Sequence, residues 1–314
     1  MNKKDLSAKI LITGATGFLG KNVVKKFTLE GFDHLVPVGR KDFDLLNKED
    51  VEYMVRTISP DIIIHLAATV GGIGANLKSP GKFIYENLSM GLGLIEQARI
   101  NKVKKFVHIS TVCSYPRILP IPFKEDDLHN GLPEITNSPY GIAKKTLGIL
   151  LQAYKKEYNF NSVYLIPTNL YGPHDSSNLD TNHVIPAIII KTILAKSSGA
   201  PFISCWGDGS VTRDFLYVED CANAIYQATM KINTPIEINI GSGKEILISD
   251  LVKLIIRLVD YKGDIHWDVT KPNGQPRRCL DITRSKELLG WEPEIGFEDG
   301  LKQTIKWYEK ELLS

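Results

Sequence analysis

Short runs of apolar residues with no polar alternation recur along the first half of the chain, and most are followed by a stretch with apolar positions at helical spacing. The runs are Lys9-Ile10-Leu11-Ile12-Thr13, Leu35 to Val38, Asp61 to Ala68, Lys105 to Ile109 and Asn161 to Ile166. Runs of that length without a polar face predict strands covered on both sides. Helices are predicted over 21–30 and 82–100, and another from Asn137-Ser138-Pro139, a cap followed by proline. Alternating strands and helices predict right-handed crossovers and a doubly wound parallel sheet of the α/β class. Pro116 to Pro139, rich in proline and acidic residues, reads as an irregular surface loop, and Val70 to Asn76 as a flexible one. Beyond Tyr171 the alternation loosens. A helix is expected to begin at Asn182-His183-Val184, with others over 221–230, 248–259 and 297–312 and a strand over 236–240. The predicted division is a larger unit, residues 1–171 rejoined by about 214–240, and a smaller mixed α/β unit, residues 172–213 and 241–314.

Chemistry first enters at Gly14-Ala15-Thr16-Gly17-Phe18-Leu19-Gly20, which lies between the first strand and the first helix. Glycines there permit a tight turn and let backbone N–H groups approach a pyrophosphate at a helix N-terminus. The larger unit is therefore expected to be a Rossmann-type dinucleotide-binding domain. The second strand ends at Gly39-Arg40-Lys41, with no carboxylate to grip a ribose 2′-hydroxyl. Arg40 offers a guanidinium fork for a 2′-phosphate, which favours NADP(H) over NAD. Asp44 and Leu45 are expected near the adenine, and Ala67 and Ala68 are small enough for cofactor to lie against the backbone.

Charge narrows the partners. Thirty-eight Lys and Arg against 36 Asp and Glu give a net charge of +2, which argues against nucleic acid and for a local basic site for any anion. The four cysteines, Cys113, Cys205, Cys221 and Cys279, have no metal-like spacing and read as reduced thiols of a cytoplasmic protein that binds no metal. Met1 to Asp5 lead into a strand without the apolar stretch of a signal peptide, and no apolar run is long enough to span a bilayer.

Tyr140 and Lys144 lie four apart on the predicted helix after Pro139, so hydroxyl and ammonium can share one cleft. A cation beside a phenol favours the phenolate and is expected to draw its pKa toward neutrality. Thr111, at a strand end, can hydrogen-bond a substrate carbonyl or the Tyr140 hydroxyl. Cys113 is either an inert buried thiol or, in an open electropositive cleft, a base. His183 is either a polar helix cap or a catalytic group. His65 and His108, inside strands, read as core. Trp206 and Arg213 suit a nucleobase and a diphosphate, and the loop Lys271 to Arg278 a phosphate clamp.

The glycine turn with Tyr-x-x-x-Lys resembles the extended short-chain dehydrogenase/reductase family. Val70 to Asn76, Phe83 to Asn87, Cys113 with Tyr115-Pro116, Pro167 to Pro173 and Asn182-His183-Val184 resemble its members that act on GDP-4-keto-6-deoxy sugars. The resemblance implies NADPH-dependent conversion of GDP-4-keto-6-deoxy-D-mannose to GDP-L-fucose, by 3,5-epimerisation and then 4-keto reduction. It implies Tyr140 as general acid, Lys144 as its partner, Thr111 as a carbonyl-holding hydroxyl, and Cys113 with His183 as the epimerising pair. It further implies Pro167, Thr168, Leu170 and His183 at the cofactor, and Asn169, Val184, Lys191, Trp206, Arg213, Arg277 and Arg278 at the GDP-sugar. A homodimer through the helices over 82–100 and 139–158 is implied as well. Thr111 stands where the family commonly has Ser, Thr69 for Lys, Lys191 for Arg, and Thr16 for an Arg of some members. Two other readings stand beside this one: a related GDP-sugar 4-reductase or epimerase, for instance on a heptose, and a non-catalytic NADP(H)-binding sensor or scaffold.

Overall fold

The computed structural model describes residues 6–177 and 183–313; Met1 to Asp5 and Asn182, the expected head of a helix, lie outside the described residues. The first part of the chain runs β1 (Ile10–Thr13), α1 (Phe18–Leu29), β2 (Leu35–Val38), α2 (Lys48–Ile58), β3 (Ile62–His65), α3 (Ile73–Lys78), α4 (Pro80–Ile100), β4 (Lys105–Ile109), α5 (Ser138–Tyr158) and β5 (Ser162–Pro167). There follow β6 (Asn169–Tyr171), α6 (Val184–Ser198), β7 (Phe202–Trp206), β8 (Thr212–Arg213), β9 (Phe215–Tyr217), α7 (Val218–Lys231) and β10 (Glu237–Ile240). The last elements are β11 (Ile246–Leu247), α8 (Ile248–Val259), β12 (Asp264–Asp268), α9 (Thr283–Leu289) and α10 (Phe297–Leu313).

Six strands form one parallel sheet in the order β10-β5-β4-β3-β1-β2, the doubly wound arrangement expected from the apolar runs. Successive side chains of a strand point to opposite faces. Ile10 and Ile12 therefore pack with Val23 and Phe27 of α1 and with α7, while Leu11 packs with Met54, Leu94 and Leu147 of α2, α4 and α5. Two apolar layers thus sandwich the sheet, which is why its strands carry no polar face. The chain leaves β1 toward β2 on one side and returns to β3 on the other. Their carboxyl ends part there, leaving the crevice in which such sheets bind ligands. A further apolar cluster joins α6, α8 and α10 to β7 and β9.

Three expectations are corrected. The loop expected over Val70 to Asn76 is half helical: α3 starts at Ile73, and buried Asn76 donates through Nδ2 to Gly71 O (2.8 Å) and Gly72 O (3.1 Å). The stretch from Pro116 to Pro139 is irregular but not a mere surface loop. Phe123 and Leu128 are fully buried, packed with Tyr115, Tyr164 and Leu280, so its few apolar residues count for more than its polar average. The expected set of elements also lacked α2, although Val51, Met54, Val55 and Ile58 recur at helical spacing, and the parallel pair of β7 with β12. Among the described residues no helix is long and apolar enough to cross a membrane.

Candidate active site

A cleft of about 720 Å³ runs from the parted ends of β1 and β3 to the loops after β7 and β12. Its first end is largely backbone. Gly14 has φ +71°, and a Cβ there would stand 2.6 Å from Ala67 N; one at Gly20 would stand 2.1 Å from Gly14 O. Only glycine lets the turn press this closely on β3 and on α1. Gly17 caps α1 without any side-chain hydrogen bond, so the first N–H groups of the helix are left for an anion. Thr16, Phe18, Leu19, Ala67 and Ala68 line the same end, with Pro167, Thr168 and Leu170 farther along. At the mouth Asp42 and Asp44 accept from the backbone N–H groups of Gly39 (2.7 Å) and Leu46 (3.1 Å). Arg40 is left exposed beside them, and Leu45 closes the wall. A tight glycine cradle, an open helix N-terminus and an exposed guanidinium fit a dinucleotide carrying a 2′-phosphate.

At mid-cleft Tyr140 and Lys144 lie one turn apart on α5, both buried. Helix α5 packs directly on the short turn Val112–Ser114: a Cβ at Gly141 would stand 2.2 Å from Cys113 O, and Ser114 Oγ donates to Gly141 O (3.0 Å). Thr111 caps that turn, its Oγ1 accepting from Cys113 N at 3.2 Å, which leaves its hydroxyl proton to donate. Burial pushes the Tyr140 phenol well above its ordinary range, and a charge on Cys113 would add to that rise. Burial also pulls Lys144 down to about 8. The expectation that Lys144 draws the phenol toward neutrality is thus corrected: burial raises the Tyr140 phenol instead of lowering it. His65 and His108 are core, as expected. The ring of His65 pairs with Thr13 Oγ1 (2.8 Å) and that of His108 with Lys144 O (3.0 Å).

The sugar end is made of side chains. Trp206, half exposed, lines it with Val184 and with Lys191, whose Nζ donates to Ser204 O (2.9 Å). Asn169 Nδ2 donates to Asp214 O (2.9 Å). Arg213 and Arg278 enter from β8 and the loop before α9. His183 lies at the head of α6, exposed to the cleft, and its ring makes no capping hydrogen bond. Arg277 is the exception. It turns outward and binds Glu245 with both ends of its guanidinium fork, outside the cleft lining. Asp175, Glu86 and Gln275 are polar residues of the lining to which the sequence had given no role. Asp175 has its carboxyl raised by burial and drawn back by a charge on His183, with Oδ2 buried and unpartnered. Glu86 accepts from Thr69 Oγ1 at 2.5 Å, and Gln275 is a buried amide in the basic loop. Each lies in or beside a stretch already singled out: Glu86 within Phe83 to Asn87, Gln275 within the loop Lys271 to Arg278, and Asp175 next to the Tyr171-Gly172-Pro173 turn.

With this geometry in view, comparisons with known proteins are informative. The profile of the NAD dependent epimerase/dehydratase family matches residues 10–241. The chain is 38% identical to GDP-L-fucose synthase 1 of Arabidopsis thaliana over 98% of its length and 94% of that protein. It superposes on a GDP-L-fucose synthetase from Naegleria fowleri bound to NADP with a TM-score of 0.89 at 28% identity, covering 99% and 96% of the two chains. It superposes on a GDP-6-OMe-4-keto-L-xylo-heptose reductase from C. jejuni with a TM-score of 0.93 at 26% identity, covering 98% and 99%.

Proposed function

The chain belongs to the NAD dependent epimerase/dehydratase family, and we propose that within it the protein converts GDP-4-keto-6-deoxy-D-mannose to GDP-L-fucose, by 3,5-epimerisation followed by NADPH-dependent 4-keto reduction. The observation that carries this is Cys113. A plain ketone reductase has no use for a thiol beside its acid, whereas this one shares the cleft with Tyr140 and is tied to its helix.

Protons on carbons flanking a ketone are acidic because the electron pair they leave is delocalised onto oxygen as an enolate. Cys113 and His183 exchange those protons, one group taking a proton from one face and the other returning one to the opposite face. The Thr111 and Tyr140 hydroxyls hold the carbonyl oxygen. NADPH, bound along the glycine turn with its 2′-phosphate at Arg40, supplies the hydride. Tyr140, its phenol raised by burial, gives its proton to the C4 oxygen, and Lys144 offsets the charge left on the phenolate. Arg213 and Trp206 receive the diphosphate and base. The division into a cofactor unit, residues 1–171 rejoined by 214–240, and a sugar-nucleotide unit, residues 172–213 and 241–314, is part of this reading. So is a cytoplasmic homodimer, for which exposed Tyr85 and Leu92 on α4 and Ile149 and Tyr158 on α5 supply apolar surface.

The test is NADPH oxidation with GDP-4-keto-6-deoxy-D-mannose in deuterated water, with the product identified by NMR. GDP-L-fucose labelled at C3 and C5 is expected. Reduction without label leaves a 4-reductase, the reading favoured by the likeness to the C. jejuni heptose enzyme.

A further inference from the structure

Two guanidiniums, one half-buried and one buried, stand at the sugar end, and their hydrogen bonds separate them. Arg213 donates to backbone carbonyls of Thr212 (2.7 Å), Gln275 (2.6 Å) and Asn273 (3.1 Å). Carbonyls orient a guanidinium without cancelling its charge, so Arg213 stays an anion receptor; burial and then the Arg278 charge pull it down to about 9. Arg278 is only 6% exposed, and among the described residues no carboxylate pairs with it. Its Nε donates to Gln275 Oε1 (3.1 Å), and its Nη1 stands 3.5 Å from Cys113 Sγ. Gln275 is itself buried, its Nε2 donating to Arg117 O (2.8 Å) and Pro116 O (3.5 Å), which turns the amide oxygen to Arg278. Cys113 is anchored from the other side through its N–H to Thr111 Oγ1 and its carbonyl against α5. The thiol is thus held between a capped turn and a guanidinium that is itself locked.

From this geometry we infer that Arg278 is a positioning residue for Cys113, aiming the sulfur and opposing the charge of its thiolate, while the diphosphate falls to Arg213. The inference rests on Cys113 acting as an epimerisation base. In that step the thiolate takes a proton from the carbon beside the ketone. The C–H electron pair passes into the enolate and the sulfur becomes a neutral thiol. When that proton leaves for solvent, the thiolate facing Arg278 is restored. A cation in contact favours the charged sulfur, the form that reacts.

The first measurement needs neither cofactor nor substrate, and a second uses the GDP-sugar. Iodoacetamide alkylation of Cys113 in the full-length protein at neutral pH is followed by peptide mass, with Cys113→Ser as the blank; Cys205, Cys221 and Cys279 are buried, Cys113 only half so. Arg278→Gln is expected to slow alkylation about tenfold, and Arg278→Lys, which keeps the charge but not the fork, to fall between. With substrate in deuterated water, Arg278→Gln should lower kcat for carbon exchange by about the same factor, with KM for the GDP-sugar within about twofold. Wild-type alkylation in Arg278→Gln, or a raised KM with intact exchange kcat, overturns the inference. Should Arg278→Gln fail to fold, Arg278→Lys decides alone: a several-fold slower reaction supports it and a wild-type rate overturns it. If GDP-4-keto-6-deoxy-D-mannose is not a substrate, the proposed function fails while the alkylation result stands on its own.

Discussion

The cofactor end of the cleft is made mostly of backbone and the sugar end almost wholly of side chains, and the two differ in how they can fail. Gly14, Gly17 and Gly20 act by lacking side chains, in the turn after β1 and the first turn of α1; Gly14 presses on Leu66 and Ala67 just after β3, and Gly17 and Gly20 press on the turn itself. At the other end Cys113, His183, Arg213 and Arg278 come from four separated segments, and three of them are fixed by hydrogen bonds: Cys113 to Thr111, Arg278 to Gln275 and Arg213 to the carbonyl of Asn273. A backbone cradle is either present or crushed. A side-chain site can lose one member and keep the rest, so substitutions there should separate steps of the reaction, while those at the glycine turn should remove all steps that need cofactor.

The largest effect is expected between the two ends. Tyr140→Phe removes the acid but keeps the buried ring, and should cut reduction by roughly 10²–10⁴-fold, with a smaller loss of deuterium exchange at C3 and C5 because Thr111 still holds the carbonyl oxygen, while the NADPH dissociation constant stays near wild type. Equal loss of exchange would mean that Tyr140 serves both ends.

Gly20→Ala comes next. The added methyl meets Gly14 O and Ala15 Cα, so we expect about 1–3 kcal/mol of lost stability in a denaturant melt. NADPH binding by fluorescence should weaken with it, with Cys113 alkylation unchanged. A change in alkylation would show that the two ends are mechanically linked.

Arg40→Ser should weaken NADPH by about tenfold relative to NADH in a binding titration and leave NADH where it was. Unchanged preference would move recognition of the 2′-phosphate to another group.

A last effect, read in acid stability and not in catalysis, concerns the floor under both ends. Burial, with the Lys144 charge nearby, depresses His108 from 6.5 to about 3. An unfolded chain takes up that proton below about 6.5 and the folded one does not, so this contribution to stability is complete above 6.5 and is lost as pH falls toward 3. Thermal melts from pH 7 to 4 should show a falling Tm, less steeply in His108→Gln; equal slopes would assign the acid sensitivity to other groups.

Legibility followed the same division. The glycine turn, the apolar strands and the Tyr140–Lys144 pair are local features, because strand burial, turn geometry and the helix repeat act over a few residues. Arg40 was readable for the same reason, as it directly follows the second strand. At the sugar end Arg277 and Arg278 are adjacent and chemically alike, yet one binds Glu245 in solvent and the other is buried against Cys113. No local rule separates them. Asp175 and Gln275 lie in or beside stretches already singled out, but their importance lies in what surrounds them. The fall of Lys144 and the rise of Tyr140 also depended on packing, since desolvation is set by neighbours distant in sequence.

By itself the sequence determined the apolar strands, the glycine cradle and the one-turn spacing of Tyr140 and Lys144, because each depends on interactions between residues close along the chain. Tertiary structure decided which arginine meets the thiol and how burial shifts the Tyr140 phenol. Those depend on distance and on exclusion of water between segments more than a hundred residues apart, as with Cys113 and Arg278.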